Sequence, residues 1–323
     1  MGVRRVVVFA GGLLVSAGFA YLALRGIDFA AVGAVFATAE PLPWIPVALA
    51  LYVCGYFARG LRCQLLVRRS ARLGLVTVTN IVVIGYASNN VLPVRLGELV
   101  RAGLLARRAK IPMSQSLGIT FIERVFDGLV LLLMLVIASA TITVPGWLNH
   151  VVVLAAIAFG IAAVVMLAGV FAPQLVIRTA ARFGATFGRL ATNVTNAGAV
   201  LRDPRQALVL VAYSALVWCF DAALYVLILG VFDIPIVIQF GIIAMCVTGF
   251  GVLLPTSPGF IGAFHYFASQ ALIIHGIDPA TAIAYATLVH LSFYVSITLW
   301  GAIAVLCIGV VPRIAASYDA EER

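Results

Sequence analysis

The stretch SLGITFIERVFDGLVLLLMLVIASA, residues 116–140, decides the fold. As a helix rising about 1.5 Å per residue it reaches roughly 37 Å, enough to cross a hydrocarbon layer about 30 Å thick. Glu123, Arg124 and Asp127 stand near its middle, where a charge turned to lipid costs on the order of 3 kcal/mol or more. The segment therefore spans a membrane with those side chains facing protein or water.

The rest of the chain has the same character. It is 63% hydrophobic and 10% charged, far from the balance of a soluble domain, and no stretch has the mixed polarity of a soluble surface. Residues 1–323 are read as a single transmembrane domain. Five further runs are long enough to span: Val6 to Leu24, Trp44 to Leu66, Val151 to Phe171, Ala207 to Phe232 and Ala280 to Val310. Leu75 to Leu92 and Ile236 to Leu254 are apolar but end in polar turns, Asn89-Asn90-Val91-Leu92-Pro93 and Leu254-Pro255-Thr256-Ser257-Pro258-Gly259. The fold is predicted to be all-α, a polytopic transmembrane helical bundle of six full spans plus two re-entrant or broken helical hairpins.

Arg68, Arg69 and Arg72 follow the second span, and Arg178, Arg182, Arg189, Arg202 and Arg205 fill an amphipathic linker over 173–206. The loops Ile27 to Pro43 and Thr141 to His150 contain no Lys or Arg and should face outward. The arginine-rich segments, the linker included, belong on the cytoplasmic side. If both hairpins return to the side they left, both termini are cytoplasmic, consistent with Arg4, Arg5 and Arg313. The net charge of +9 then reports topology and does not point to nucleic acid. Arg4 and Arg5 before an apolar run have the charge order of a signal sequence, but no convincing small-x-small cleavage site follows, so an uncleaved first span is expected, with a cleaved signal as the alternative. The cysteines, Cys54, Cys63, Cys219, Cys246 and Cys307, lie in apolar stretches without CxxC spacing; no disulfide framework, metal site or cofactor is expected.

The two hairpins look alike. Leu92-Pro93 matches Leu254-Pro255, each proline is followed four residues later by a glycine (Gly97, Gly259), and a short helix and a long span ensue. One hairpin would open inward and the other outward, which is the signature of an inverted repeat, here over 75–140 and 236–310, with a substrate site between the halves.

Polar residues in these units are the candidate site. Arg95, Glu98 and Arg101 would share a helical stripe, and guanidinium forks suit phosphate or carboxylate oxygens; the alternative is an interfacial helix meeting anionic headgroups. Glu123 and Asp127 share a helix face, with Arg124 a quarter turn away; here the alternative is a buried ion-pair network that only orients helices. Pro255, Thr256, Ser257, Pro258, Gly259 and Gly262 break the backbone, leaving amides that can hold an anion. His265 follows on a short helix, while His290 and Tyr294 share a face of the last span. Either histidine could carry protons, and either could equally be a satisfied packing residue.

Three motifs together, Asn90-Val91-Leu92-Pro93-Val94-Arg95-Leu96-Gly97-Glu98-Leu99-Val100-Arg101, Glu123-Arg124-Val125-Phe126-Asp127 and Pro255-Thr256-Ser257-Pro258-Gly259-Phe260-Ile261-Gly262, make the chain resemble the lysylphosphatidylglycerol synthase transmembrane region family of flippase-like proteins. Their order and spacing extend over nearly the whole chain. The resemblance implies a plasma (inner) membrane domain that moves lipids, such as aminoacylated phosphatidylglycerol or polyprenyl-linked precursors, between leaflets. The soluble aminoacyltransferase domain of two-part members is not expected, since the sequence ends at Arg323, and the synthase activity is not carried over. Many members have glutamate and arginine where His265 and His290 stand; histidine at both is a feature of one branch, and their joint difference suits two groups meeting in one site.

The expected function is a flippase or scramblase-like transporter of a phosphate-bearing lipid, not an enzyme, with membrane lipids as its partners. Arg95, Arg101 and Arg124 would hold the head, while Glu98, Glu123 and Asp127 orient them or take protons. Asn90, Thr256, Ser257, His265, His290 and Tyr294 complete the set, on turns shaped by Pro93, Gly97, Pro255, Pro258, Gly259 and Gly262. Two alternatives stand beside it. A membrane-embedded lipid-phosphate transferase or hydrolase would use His265 or His290, but no HExxH, P-loop or G-x-S-x-G pattern supports it. A non-transporting partner of a cell-envelope glycosyltransferase, bound to an envelope synthesis enzyme, is the other.

Overall fold

In hydrocarbon a backbone must satisfy its own amides and carbonyls, and an apolar chain does so by coiling into helices. The computed structural model describes residues 3–92, 95–140, 146–253 and 257–308, and these form helices and short connections without strands. Pro93, Pro255, Thr256 and Arg313 lie outside the described residues. The helices are α1 (Val3–Leu24), α2 (Phe29–Ala37), α3 (Trp44–Val67), α4 (Leu75–Val91), α5 (Gly97–Ala109), α6 (Met113–Ser139), α7 (Gly146–Phe171), α8 (Pro173–Ala181), α9 (Ala185–Ala197), α10 (Pro204–Leu229), α11 (Ile238–Gly251), α12 (Ala263–Ile273) and α13 (Pro279–Ile308).

Among the described residues α3, α7, α10 and α13 are each long and apolar enough to cross a membrane, and α1 with α2 makes a further candidate bent by 75°. The bend corrects the sequence expectation of a plain outward loop over 27–43: Asp28 caps α2 by accepting from the Ala30 amide at 2.9 Å. α6, at 27 residues, has the length, but three ionised side chains interrupt its apolar character. α4 and α11 have 17 and 14 residues, about 26 and 21 Å of helix, too short to cross about 30 Å of hydrocarbon alone.

The turns after these short helices are built for close approach. Leu92 is extended, with ψ 141°, as the residue before a proline must be. The Gly97 amide donates to Asn89 Oδ1 at 2.8 Å, and a Cβ on Gly97 would lie 2.1 Å from the Gly85 carbonyl oxygen, so only glycine lets α5 fold back on α4. In the second hairpin Gly259 has φ 69° and Gly262 φ 88°, conformations that favour glycine. The Ser257 amide donates to Ser16 Oγ on α1 at 2.6 Å.

Packing follows a reciprocal pattern. α3 lies against α10, α4 against α13, and α11 against α6; within each hairpin α4 meets α5 and α11 meets α12. The core is Val, Ile, Leu, Ala and Tyr drawn from all of these helices. α7 stands at the edge, exposing Val153, Leu154, Ile157, Ile161 and Val164, an apolar face that water would not tolerate and lipid would. α8 and α9, in the linker, pack on each other, and α9 also packs on α6.

Candidate functional site

The polar groups of the bundle gather where α3, α5, α6 and α10 meet. Arg59 on α3 makes a two-pronged pair with Asp221 on α10, donating at 2.5 and 3.2 Å. One turn on, Arg62 donates to Asp127 on α6 at 2.5 and 3.3 Å and to Ser214 Oγ at 3.3 Å. Its Nε lies 3.7 Å from Glu123. Glu123 is also paired with Arg101 of α5. Asp127 accepts from the Trp218 indole at 3.0 Å and pairs with Arg124 at 3.1 Å. Arg62, Glu123 and Arg101 are 1%, 1% and 2% exposed, so water plays no part in their neutralisation; the pairs must do it.

Beside this network is a cavity of about 320 Å³. Its lining mixes the charged side chains of Arg59, Arg95, Glu98, Arg124, Asp127 and Asp221 and the rings of Tyr52, Tyr56, Tyr86 and Trp218 with the apolar side chains of Leu131, Phe159, Leu224, Met245, Leu253 and Ile297. Arg124 donates to the Tyr86 hydroxyl at 2.7 Å and lies 3.7 Å from Glu98. The guanidinium carbons of Arg59 and Arg124 sit over the Tyr86 ring at 5.5 and 5.6 Å, within cation–π range.

Arg95 is different. It has φ 55°, so it stands off α5 rather than on it, and the expected stripe of Arg95, Glu98 and Arg101 is broken at its first member. Its Nη2 donates to the Val252 carbonyl at 2.8 Å, and its guanidinium carbon is 5.3 Å from the Phe260 ring centre. The turn of the first hairpin therefore touches that of the second. Asn90 strengthens the seam by donating to the Tyr294 carbonyl at 3.3 Å and to Thr298 Oγ1 at 2.9 Å, while the Tyr294 hydroxyl donates to the Asn90 carbonyl at 3.4 Å.

The histidines meet: the His265 and His290 rings are 4.8 Å apart, and Nε2 of His290 lies 2.8 Å from the Gly259 carbonyl oxygen at the hairpin turn. Phe264 stacks on His290 at 4.8 Å. Neither ring has a carboxylate within 4 Å among the described residues. Nor do three His, Cys, Asp or Glu side chains among them converge in a way that could hold a metal ion.

Of the residues singled out in the sequence, Asn90, Arg95, Glu98, Arg124 and Asp127 line the cavity. Arg101 and Glu123 do not; they lie behind its wall as a buried pair. Gly259 and Tyr294 meet Asn90 across the seam, His290 is tied to the Gly259 carbonyl and His265 lies beside it, while Ser257 faces Ser16 on α1 instead. Arg59, Arg62, Asp221, Tyr86 and Trp218 were missed. A signal existed for three of them, since Arg59 and Arg62 interrupt the run Trp44 to Leu66 and Asp221 interrupts Ala207 to Phe232, and an ionisable residue inside a span marks function or pairing.

Residues 9–301 match the family described as the lysylphosphatidylglycerol synthase TM region. The chain is similar to the protein named glycosyltransferase AglD of Haloferax volcanii, 27% identical with 89% of this chain and 52% of that protein covered. It thus spans about half the length of that relative. It is also similar to the UPF0104 membrane protein MJ1078 of Methanocaldococcus jannaschii, at 25% identity over 67% of this chain and 91% of the relative. No solved structure matches the chain.

Proposed function

The chain belongs to the lysylphosphatidylglycerol synthase TM region family, and on that premise we propose that it moves a phosphate-bearing lipid between leaflets, as a flippase or scramblase-like transporter. The observation that carries this reading is the mixed lining of the cavity, which offers guanidinium and tyrosine groups together with aliphatic and aromatic carbon. A phosphate head leaving water loses hydration, and charge-assisted hydrogen bonds from the arginines that line the cavity offset that loss. The tails meanwhile need never leave an apolar surface.

The transport reading includes the inverted repeat over 75–140 and 236–310, in which α4 to α6 and α11 to α13 are equivalent. Its support is the reciprocity of the packing, α4 with α13 and α11 with α6, around the α3 and α10 pair. Two re-entrant hairpins would then place their turns against each other in mid-membrane, with both termini cytoplasmic at the inner membrane. A lipid-phosphate transferase or hydrolase is less favoured, because among the described residues His265 and His290 have no carboxylate within 4 Å to orient them, as such chemistry uses. A role beside an envelope glycosyltransferase draws support from the relative named for that activity, and it is compatible with transport.

The test is reconstitution of the purified chain in liposomes with fluorescent-tailed phospholipids and a polyprenyl phosphate. An impermeant quencher should reach label from both leaflets, and Arg124→Ala should restore slow, protein-free exchange. Empty-liposome kinetics with every lipid would end the proposal.

A further inference from the structure

Charge bookkeeping in the cavity and its backing network leaves a remainder. Five guanidinium groups, Arg59, Arg62, Arg95, Arg101 and Arg124, face four carboxylates, Glu98, Glu123, Asp127 and Asp221. Each carboxylate has an arginine within 4 Å. Among the described residues Arg95 is the one of the five with no carboxylate that close; its partners are a carbonyl and an aromatic face. One positive charge is left over, half-buried on the cavity wall.

We infer that the cavity selects lipids whose head carries a single net negative charge, a phosphodiester with a neutral glycerol or sugar group, over phosphomonoesters and over heads that are zwitterionic or cationic. The inference rests on the transport reading and sharpens its substrate class. A phosphodiester neutralises Arg95 and leaves no residue of charge, the cheapest state in a low-dielectric cleft. A phosphomonoester carries about −1.5 to −2 at neutral pH and would leave a negative excess against Glu98, Asp127 and Asp221. A zwitterionic head leaves Arg95 uncompensated overall, and a lysyl ester adds positive charge to it.

Glu98 offers a way to move the balance. It sits on the wall, touched by Arg124 only at 3.7 Å, and its side chain is 24% exposed, so Glu98→Gln can raise the cavity and its backing network together to two positive charges with little disturbance of packing. Arg95→Gln lowers that sum to zero.

The experiment is competitive lipid binding to the purified full chain by native mass spectrometry, run beside the liposome exchange assay. Four tail-matched lipids serve: phosphatidylglycerol, phosphatidic acid, phosphatidylcholine and lysylphosphatidylglycerol. The wild type should favour phosphatidylglycerol by about tenfold. Glu98→Gln should move the preference toward phosphatidic acid, and Arg95→Gln toward phosphatidylcholine, with unchanged thermal stability showing that both variants fold. A wild type that binds phosphatidic acid or the lysyl lipid best, or an order that neither variant alters, overturns the inference while leaving transport intact. Selective binding with no exchange overturns the transport reading instead. Displacement by the water-soluble head glycerophosphoglycerol at equal concentration would refute a lipid-specific site.

Discussion

Replacing Asp127 with leucine should destabilise the bundle more than replacing Asp127 and Arg62 together. The carboxylate accepts from Arg62 at 2.5 and 3.3 Å, from Trp218 at 3.0 Å and from Arg124 at 3.1 Å. Arg124, with its side chain 32% exposed, can turn to water or to Glu98. Arg62, 1% exposed, cannot; it would keep only Ser214 at 3.3 Å and Glu123 at 3.7 Å, and Glu123 is already held by Arg101. Removing one partner of a buried pair leaves an uncompensated charge and costs about 3–5 kcal/mol, whereas an apolar replacement of the pair is often close to neutral. Asp127→Leu should therefore lose about 3–5 kcal/mol, and Arg62→Met/Asp127→Leu should recover most of it. Reversible unfolding in mixed micelles, run as a double-mutant cycle, measures both. A double variant as unstable as the sum of the singles would refute the claim that Arg62 depends on Asp127.

Gly97→Ala should lower thermal stability by about 1–3 kcal/mol, the usual cost of overpacking, because the added Cβ meets the Gly85 carbonyl at 2.1 Å. Gly103→Ala on the same helix, where the Cβ meets nothing within 4 Å, should be neutral or better in the same melting assay. Asn90→Leu removes the bonds to Tyr294 and Thr298 and should cost about 1–3 kcal/mol through the acceptor left unpaired, read in the same melting assay. Arg59→Lys should not rescue Arg59→Ala in lipid exchange, since an ammonium cannot reproduce the two-pronged contact with Asp221. In the loop after α12, burial against Phe240, whose ring stacks at 4.5 Å, lowers the pKa of His275 from 6.5. The unfolded chain then takes the proton first as pH falls below 6.5, so stability present above that value is lost on acidification. His275→Phe should keep the stack and flatten that part of the pH profile of the melting temperature.

Much of the architecture could be read without coordinates. Apolar runs of spanning length dictate helices because hydrocarbon offers no other partner for the backbone, and the glycines and prolines of the two polar turns mark where those helices stop. The three charges of α6 could likewise be located, because an ionised side chain is conspicuous against an apolar run. What the sequence left open was the pairing. Arg62 meets Asp127 across 65 residues and Arg59 meets Asp221 across 162, and nothing local to α3 says which helix will lie beside it. Contact depends on the rotation and register of neighbouring helices, which the summed packing of their apolar faces decides. The same packing sends Arg101 and Glu123 behind the cavity wall, although the spacing of Arg101 from Arg95 and Glu98 suggested a shared stripe. The left-handed backbone at Arg95 swings that guanidinium off the helix and onto the second hairpin. Helix period could predict a stripe, but only the folded turn could leave this one arginine without a carboxylate.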